Sequence, residues 1–556
     1  MNKQLVIVKS SRVYPLQSIK FLIKAKTIVK MLKWSKLRKL WKFLLIIITP
    51  LVLLPVLFLD RNENVVSKKF QCAYVILLMS VFWMLEVMPL SVTSLLPVVL
   101  FPFLGIQSTG AVVSSYMRET AMMFIGGISL ALGIQYCGLH KRIALKIILT
   151  IGSSPWRLLL GILVTAMSIS CVVIVNTAVV AMMVPIINGI IECFDETESI
   201  QKRKKLKKLY FLAVGYAANV GGTATIIGSQ STLIFKELIE QENISQNGKY
   251  TDMNFATYIA FSMPIAVINL FLIWMILSII FLGRPKKHKT SNLMSNTISD
   301  ETNSNENSSE HVARMLQSKL DDLGKMSFHE WTVTILITTA VILWLFRDPR
   351  VIPGWITVFP DAYPRIGDST IAVAILILIF AEFSGKWETA LSWQFIQQHF
   401  PWHVLFIVGG GLAISDGANA SGLSVWLGDR FNGLENLSPH IVLLIVVLLI
   451  SFLTELMSNT AAVSLLTPIL IALSKRLNLH PLYLSLPGAI ACQYAFMLPT
   501  ASPPNTIVFA SGEMNIIDMA KPGLFINLAC VTILYVANIS WGQFIIFDYN
   551  NYEYPK

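Results

Sequence analysis

Charged side chains are scarce in this sequence of 556 residues: Asp, Glu, Lys and Arg supply only 14% of it, whereas 54% of the residues are hydrophobic. A soluble globular protein averages about 25% charged residues. Apolar runs also recur from Phe43 almost to the last residue. The sequence therefore excludes an ordinary soluble protein and predicts one polytopic, all-α membrane domain.

Signatures of enzymes and metal sites are also missing. His329-Glu330 lacks the second histidine of a zincin, no glycine-rich loop with a lysine is present, and no Gly-x-Ser-x-Gly elbow occurs. The six cysteines lie in or beside apolar segments without metal-ligand spacing, which is typical of small buried hydrophobic side chains. We expect neither an enzyme nor a protein with a resident cofactor.

Acidic residues are absent from residues 1–42, which hold twelve Lys and Arg. The net charge of +12 therefore originates in this arm, and the rest of the chain is balanced. A basic flank directly before the apolar run 43–59 predicts a cytoplasmic N-terminus and contact with anionic membrane lipids. A targeting peptide fits less well because the arm is rich in Lys rather than Arg, and we expect no nucleic-acid partner.

Two apolar segments have an unusual length. A straight crossing needs about 20 residues, but 157–191 and 441–473 are too long for one crossing and too short for two. Each has polar residues at its middle, Asn176-Thr177 in the first and Ser458-Asn459-Thr460 in the second. We predict that each segment is a re-entrant hairpin whose tip lines a cavity inside the protein. The other apolar segments are 43–59, 70–88, 89–106, 119–137, 209–235, 257–283, 331–346, 369–385, 402–415, 482–511 and 522–537.

Basic clusters set the predicted topology, because Lys and Arg favour cytoplasmic loops. The clusters are 140–142, 202–208 and 284–287, whereas Lys475-Arg476 falls on the outside. Sequons at Asn243, Asn436 and Asn538 then face outward as candidate glycosylation sites. The predicted organisation is a basic cytoplasmic arm (1–42), a first half of the membrane domain (43–283), a cytoplasmic polar linker (284–330), a second half (331–547) and an extracellular tail (548–556). Within the linker we expect the stretch 290–326 to be disordered.

The two halves repeat each other weakly at an offset of about 283 residues. Residues 124–131 are similar to 406–413, and 176–186 are similar to 459–469. An interrupted span follows each tip, broken by Gly221-Gly222 in the first half and by Pro503-Pro504 in the second. Five spans separate the two hairpins, and an odd number predicts an inverted repeat. This architecture is typical of alternating-access transporters.

The chemistry of the tips suits an anion. Ser, Thr and Asn supply hydroxyl and amide donors, and a helix that begins at each tip adds free N–H groups and the positive end of its dipole. Amide and unwound backbone carbonyl oxygens can bind a cation. Ser295-Asn296-Thr297 has the same three residues as the second tip, but it lies in the polar linker, where we expect it to be inert.

Acids inside apolar segments have structural and functional interpretations. For Glu86, Glu382 and Asp416 we expect a paired structural acid or the end of a span. Glu455 lies three residues before Ser458 and is the acid to test as a proton carrier.

Several motifs resemble the divalent anion–sodium symporter family, in particular its animal di- and tricarboxylate carriers. They are Ser458-Asn459-Thr460 and the stretches 221–225, 401–411 and 501–505, and the resemblance covers about 43–547. It implies an elevator-type homodimer in the plasma membrane, with about eleven transmembrane helices, two re-entrant hairpins and an extracellular C-terminus. It also implies transport of carboxylates such as succinate and citrate, with sodium ions or protons as coupling ions.

The resemblance also implies roles for particular residues. The implied substrate-binding residues are Asn176, Thr177, Thr223, Ser458, Asn459, Thr460, Ser502 and Pro503. The implied cation ligands are Asn176 and Gly222 at a first site, and Thr454, Asn459 and Ala501 at a second.

The first tip departs from the family pattern. Val175 stands where a serine is expected, Cys171 corresponds to Thr454 of the second half, and Ser231-Thr232 replaces the familiar Pro-Asn. Because sodium prefers hard oxygen ligands, these departures predict weak or no sodium dependence, as in a proton-coupled or exchange carrier. Two alternatives stay open: a carrier of inorganic divalent anions such as sulfate, and a transport-inactive anion sensor or scaffold.

Overall fold

The computed structural model describes residues 41–59, 61–62, 65–172, 176–194, 200–245, 253–283, 298–348, 352–359, 366–381, 389–424, 426 and 437–545. The predictions for residues 1–40, for Val175, Glu382 and Asn436, for the side chain of Asn243, for the basic cluster 284–287, for Ser295-Asn296-Thr297 and for the tail 548–556 lie outside the described residues.

The first half of the described chain is helical apart from the two-residue strands Arg61–Asn62 and Val65–Val66. Its helices are α1 (Trp41–Phe58), α2 (Lys68–Leu85), α3 (Leu90–Thr93), α4 (Leu96–Phe103), α5 (Thr109–Ser114), α6 (Glu119–Tyr136), α7 (Leu139–Ile151), α8 (Pro155–Ser170), α9 (Asn176–Cys193), α10 (Ile200–Thr223), α11 (Gln230–Ser245) and α12 (Phe255–Leu277). A 3₁₀ turn at Ile226–Gly228 joins α10 to α11, and a π turn at Ser278–Leu282 ends α12.

The second half continues in the same way. Its helices are α13 (Ile298–Asp322), α14 (Phe328–Leu345), α15 (Asp368–Ile379), α16 (Trp393–His399), α17 (His403–Ala420), α18 (Pro439–Leu453), α19 (Asn459–Arg476), α20 (Pro481–Ala491), α21 (Pro503–Ser511), α22 (Ile516–Ile539) and α23 (Trp541–Ile545). A 3₁₀ turn at Trp355–Val358 lies between α14 and α15.

Six helices of the described chain are long and apolar enough to cross a membrane, namely α1, α2, α9, α12, α14 and α22. A seventh crossing is obtained if α6 and α7, which are bent by 69° at Gly138, are counted as one span. An 18-residue helix rises about 27 Å, close to the thickness of the hydrocarbon core. The expectation of an all-α, multi-pass membrane protein is confirmed.

Each of the two long apolar segments contains two helices separated by a short break. In the first, α8 ends at Ser170 and α9 begins at Asn176; in the second, α18 ends at Leu453 and α19 begins at Asn459. The breaks therefore fall at the tips that the polar residues indicated. That each pair enters and leaves the membrane on one side stays a prediction.

The packing of these helices is repeated between the halves. Helices α8 and α9 both pack against α10, and α18 and α19 both pack against α20. Across the halves, α9 and α10 contact α21, whereas α19 and α20 contact α11; α12 packs against α22. Exchanging α8–α12 for α18–α22 reproduces this set of contacts, as expected for two repeats related by a two-fold axis.

Two expectations about polar segments need correction. The cluster 202–208 lies within the first turns of α10 rather than in a loop. Disorder in the linker is wrong for 298–322, which form α13, because Val312 and Leu316 are buried against α7 and α9. These two residues, one helical turn apart, give a mostly polar segment a narrow apolar stripe.

Two further side chains differ from their sequence-based interpretation. Arg142 is buried rather than a loop cation, and its guanidinium donates to Glu330 at 2.8 Å and to the carbonyl of Gly324 at 2.7 Å. Asn538 is fully buried and its amide donates to the carbonyl of Tyr483, so a glycan on this nitrogen does not fit the structure. Lys475, one of the two basic residues that break the predicted topology, pairs with Glu242.

A buried ionic cluster joins α11 to the start of α15. Lys236 pairs with Asp368 and with Glu240, and Arg347 reaches Asp368 at 2.7 Å. Lys236 and Asp368 are only 5% and 2% exposed. Because a buried charge without its partner is costly, this cluster holds α11 of the first broken span against α15 in this conformation.

Replacing Asp368 with Asn leaves Arg347 without its acid and Lys236 with only Glu240. We expect a loss of about 3 kcal/mol of stability, measured as a lower thermal unfolding midpoint of the purified protein in detergent. The matched control is Glu310→Gln, which breaks the exposed 3.7 Å pair with Arg314 and changes stability by less than about 0.5 kcal/mol. Equal effects of the two substitutions contradict a structural role for the cluster.

Candidate functional site

The second tip presents hydrogen-bond donors that the helix does not use. Ser458 is the N-cap of α19, but its side chain makes no capping hydrogen bond. Its hydroxyl instead lies 2.9 Å from the hydroxyl of Thr460. Two hydroxyls and the N-terminal N–H groups of α19 are therefore available at one place, the arrangement that favours an anion.

The first tip approaches the first broken span and a residue of the second. A Cβ atom on Gly222 would lie 2.8 Å from Nδ2 of Asn176 and 3.0 Å from Oε1 of Gln493. An added Cβ at this position would displace at least one of the two amides from the backbone of α10. The Oδ1 atom of Asn176 is buried and has no hydrogen-bond partner among the described residues, which marks it as a candidate ligand oxygen.

Oxygen atoms converge where the first span is broken. The point that a Cβ of Gly228 would occupy lies 2.9 Å from the carbonyl oxygen of Gly222, 3.0 Å from the hydroxyl of Thr225 and 3.2 Å from the carbonyl oxygen of Gly221. The Thr225 hydroxyl also donates to the carbonyl of Cys171 at 2.5 Å. Carbonyl and hydroxyl oxygens are ligands that suit a hard cation, so these three oxygens are candidate ligands at the first break.

The second tip offers a comparable oxygen set. The hydroxyl of Thr454 lies 3.0 Å from Oδ1 of Asn459 and donates to the carbonyl of Cys492 at 2.6 Å. Thr454 is fully buried, and Ala501 is 1% exposed. The structure thus brings the tip residues of the predicted second cation site against the break of the second span.

Each broken span extends an amide side chain into the break of the other. Gln493 of the second span donates to the hydroxyl of Ser229 at 2.7 Å. Asn219 of the first donates to the carbonyl of Ala495 at 3.2 Å and to Oδ1 of Asn505 at 3.4 Å. These reciprocal contacts tie the two repeats together at the level of the tips.

Backbone groups freed by the breaks are hydrogen-bonded by neighbouring helices. On α12, Tyr258 donates to the carbonyl of Thr223 at 3.0 Å, and Ser262 donates to that of Ala224 at 3.0 Å. On α22, Asn527 donates to the carbonyl of Tyr494 at 2.8 Å. Unpaired groups at this depth are costly, so these bonds make the breaks tolerable in a membrane.

Glu455 acts as a structural clamp, in the sense that its carboxylate holds the backbone of 496–498 in place. Its carboxylate accepts hydrogen bonds from the N–H groups of Phe496 and Met497 on one oxygen and of Leu498 on the other, at 2.7–2.9 Å. The side chain is 3% exposed. Three bonds to non-helical backbone are sufficient to explain a buried acid here. Asp416 is likewise paired, with Arg118 and with the hydroxyl of Ser115.

The remaining predicted substrate residues differ in their accessibility. Ser502 caps α21 by accepting from the N–H of Asn505, and Pro503 begins that helix with an exposed side chain. Thr177 is partly exposed at the start of α9. Thr223 is 1% exposed, and its hydroxyl donates to the carbonyl of Val220. In this conformation the Thr223 side chain is therefore not available to a substrate.

Sequence reasoning missed Gln493, Thr225 and Gly228 as members of the site. Thr225 and Gly228 lie in the stretch that was recognised as a broken span, but the convergence of oxygens depends on its tertiary fold. Gln493 carried a weak signal, since it is a polar residue inside the apolar segment 482–511.

A multi-pass helical protein with paired helix breaks that face each other across two repeats has the architecture of a secondary transporter. Residues 37–547 match the family model described as "Sodium:sulfate symporter transmembrane region", and the chain belongs to this family. The expected resemblance is thereby confirmed.

Relatives in animals match over most of the chain. The Na(+)/dicarboxylate cotransporter 3 of Mus musculus is 32% identical, over 91% of this chain and 93% of its own. The protein "I'm not dead yet" of Drosophila melanogaster is 32% identical, over 92% and 90%. The Na(+)/citrate cotransporter of Rattus norvegicus is 32% identical, over 91% and 95%. This protein is therefore a transporter.

Gly222→Ala tests the contact between the first tip and the broken span. The added methyl group displaces the amides of Asn176 and Gln493. We expect anion uptake into proteoliposomes to fall roughly tenfold or more, because each lost contact is worth about 1 kcal/mol. Gly110→Ala is the control, since its Cβ meets no atom within 4 Å. Unchanged uptake by the Gly222 variant contradicts this geometry.

Glu455→Gln separates a clamp from a proton carrier. Glutamine keeps one acceptor oxygen but turns an NH₂ group toward one of the three backbone N–H donors. We expect net uptake and anion exchange to fall together at every pH, with Glu86→Gln, an exposed acid, as the control. A variant that loses net uptake but keeps pH-insensitive exchange is evidence for a proton carrier and against the clamp.

Proposed function

We propose that this protein is a secondary active transporter of di- and tricarboxylates such as succinate and citrate. The names of its relatives as dicarboxylate and citrate cotransporters support this substrate class. The observation that carries the proposal is made at the second tip, where the side chain of Ser458 does not cap α19. The hydroxyls of Ser458 and Thr460 and the N–H groups at the start of α19 are therefore available together. Such a donor set binds a carboxylate without a buried cationic side chain.

Asn176, Thr177 and the N-terminus of α9 supply the second group of donors in this proposal. A dicarboxylate has two negatively charged ends, and two tips contributed by the two repeats offer one helix start to each. Ser502 and Pro503 stand at the start of α21, which packs against α9 and α10, and complete the donor set in this scheme. Asn459 then serves both ions, since its amide can donate to the anion while its Oδ1, 3.0 Å from Thr454, faces the cation.

The proposed mechanism is alternating access by an elevator-type movement in a homodimer of the plasma membrane, with a cytoplasmic N-terminus. The unit that moves is formed by α8–α12 and α18–α22, whose contacts repeat between the halves. Helix α17 lies outside this unit and approaches it closely, because a Cβ on Gly411 would lie 2.5 Å from the hydroxyl oxygen of Ser464 on α19. Glycine permits this close approach of the two helices.

The coupling ion is proposed to bind mainly at the second tip. Thr454 contributes a hydroxyl there, whereas Cys171 leaves only a sulfur atom at the matching position. At the first tip the oxygens come from the backbone of α10 and from Thr225. We therefore expect a shallow sodium dependence or none, with a proton-coupled or exchange mode where sodium is not required.

Sulfate is the alternative cargo, because the family model is described as a sodium:sulfate symporter and hydroxyls bind either anion. A transport-inactive sensor or scaffold is the alternative of another class. It predicts binding of citrate without its movement.

Uptake into proteoliposomes at matched membrane potential tests the proposal, with labelled succinate, citrate and sulfate in sodium or in choline. We expect carboxylate uptake, competition by succinate and citrate rather than by sulfate, and a hyperbolic or flat response to sodium. Cys171→Thr restores the missing hydroxyl, and we expect it to steepen the sodium dependence, whereas the control Cys137→Thr, at the end of α6, leaves it unchanged.

Three results contradict the proposal. Preferential sulfate uptake overturns the substrate class, and citrate binding without uptake supports a sensor or scaffold. A steep sigmoidal sodium requirement in the unmodified protein refutes the weakened first cation site.

A further inference from the structure

A cavity of about 460 Å³ lies at the start of α10, between the end of α12 and the start of α22. Both α12 and α22 are long and apolar enough to span a membrane. A cavity at their ends therefore lies at the level where the hydrocarbon gives way to lipid headgroups. Its lining residues are Gln201, Lys204, Lys205, Lys208, Ile280, Phe281, Ile517, Asp518, Lys521 and Pro522.

The polar part of this cavity has an excess of positive charge. Four of the lining residues are lysines and only one, Asp518, is acidic. Asp518 is bound to Lys208 at 2.6 Å. No acid of the described residues forms an ion pair with Lys204, Lys205 or Lys521, and all three are exposed.

Glu513, a second described acid near the cavity, does not cancel this charge. Glu513, in the turn before α22, is bound to Lys207 at 2.7 Å. That hydrogen bond holds the pKa of Glu513 below its ordinary value, and the charges of Lys204 and Arg203 lower the pKa further. Among the residues that the structure describes near the cavity, both acids are thus engaged by Lys207 and Lys208, and three lysines remain for an external anion.

The remaining lining is apolar and faces outward. Ile280 is 41% exposed and Ile517 is 66% exposed, and Phe281 lies beside them. The π turn Ser278–Leu282 places Ile280 and Phe281 at the rim of the cavity. Such turns are rare in proteins overall, but those that occur are often found at functional sites. Lysines and exposed apolar side chains on one cavity match a ligand with an anionic head and an acyl chain.

We propose that this cavity binds the phosphate-bearing headgroup of an anionic phospholipid. Lys204, Lys205 and Lys521 contact the phosphate oxygens, and an acyl chain lies along Ile280 and Ile517. Basic pockets between membrane helices recognise such headgroups, and the apolar rim distinguishes a lipid from a soluble phosphate. The proposal rests on this cavity alone and is independent of the substrate of the transporter.

The test measures binding of a phosphatidylinositol phosphate to the purified full-length protein, in nanodiscs of phosphatidylcholine that contain or lack that lipid. The variant is Lys204→Gln/Lys205→Gln/Lys521→Gln. The matched control is Lys141→Gln/Lys146→Gln/Lys325→Gln, which removes the same charge at three exposed lysines outside the cavity. A second variant with arginine at 204, 205 and 521 retains the charge and shows that substitution alone does not disrupt the fold.

Each lysine near an anionic headgroup contributes roughly a fivefold gain in affinity. We therefore expect the triple glutamine variant to bind the lipid on the order of a hundredfold more weakly, and the arginine variant to bind like the unmodified protein. High salt weakens the binding as well. Equal binding by the glutamine variant and the matched control overturns the proposal.

A second arm identifies the source of the phosphate. Soluble inositol phosphate is added as a competitor, and Ile280→Ser/Ile517→Ser removes the apolar rim. We expect the soluble compound to compete weakly and the serine variant to lose lipid affinity. Competition by inositol phosphate as strong as that of the lipid, with no effect of the serine variant, refutes a lipid ligand.

Discussion

The structure depends on one constraint: two helices are interrupted within a membrane domain, and the backbone groups freed there need partners. Each unpaired group costs several kcal/mol in hydrocarbon. Tyr258 and Ser262 bind the carbonyls of the first break, and Glu455 accepts three N–H groups of the second. Because these partners occupy fixed positions on packed helices, the same bonds that make the breaks tolerable also place the tips beside them.

Sequence alone located the tips and the breaks, because both depend on local features. An apolar run of 33 or 35 residues with polar residues at its middle indicates a turn, and the structure begins α9 at Asn176 and α19 at Asn459. The partners across the repeats were not predictable in this way. Gln493 reaches Ser229 over 264 positions, and no spacing rule links two residues so far apart. The helix α13 was missed because its apolar stripe is narrow and its composition is polar.

The repeats share their packing but differ in their chemistry. Residues at matching positions of the two repeats carry different side chains: Cys171 corresponds to Thr454, and Thr232 corresponds to Asn505. Thr232 nevertheless retains a local role, since its hydroxyl donates to the carbonyl of Ile226 at 2.8 Å, as the Asn505 amide donates to Leu498 at 3.1 Å. The two halves therefore share the backbone fold of the break, although their candidate ligand side chains differ. The fold needs only a side chain that is long enough to hydrogen-bond the freed carbonyl, and several residue types provide one. A cation, by contrast, needs an oxygen ligand at a defined position.

The absence of a lysine or arginine from both tips of the described chain has a consequence for transport. A buried cationic side chain would hold a carboxylate strongly and would itself be costly when the anion leaves. Hydroxyls and helix N-termini remain neutral when the proposed site empties, so in the proposed mechanism the empty site carries no unpaired charge across the membrane. Ser458 and Thr460 can also satisfy each other at 2.9 Å when no anion is present. A carrier must release its cargo as well as bind it, and a site built from neutral donors that pair among themselves meets both requirements.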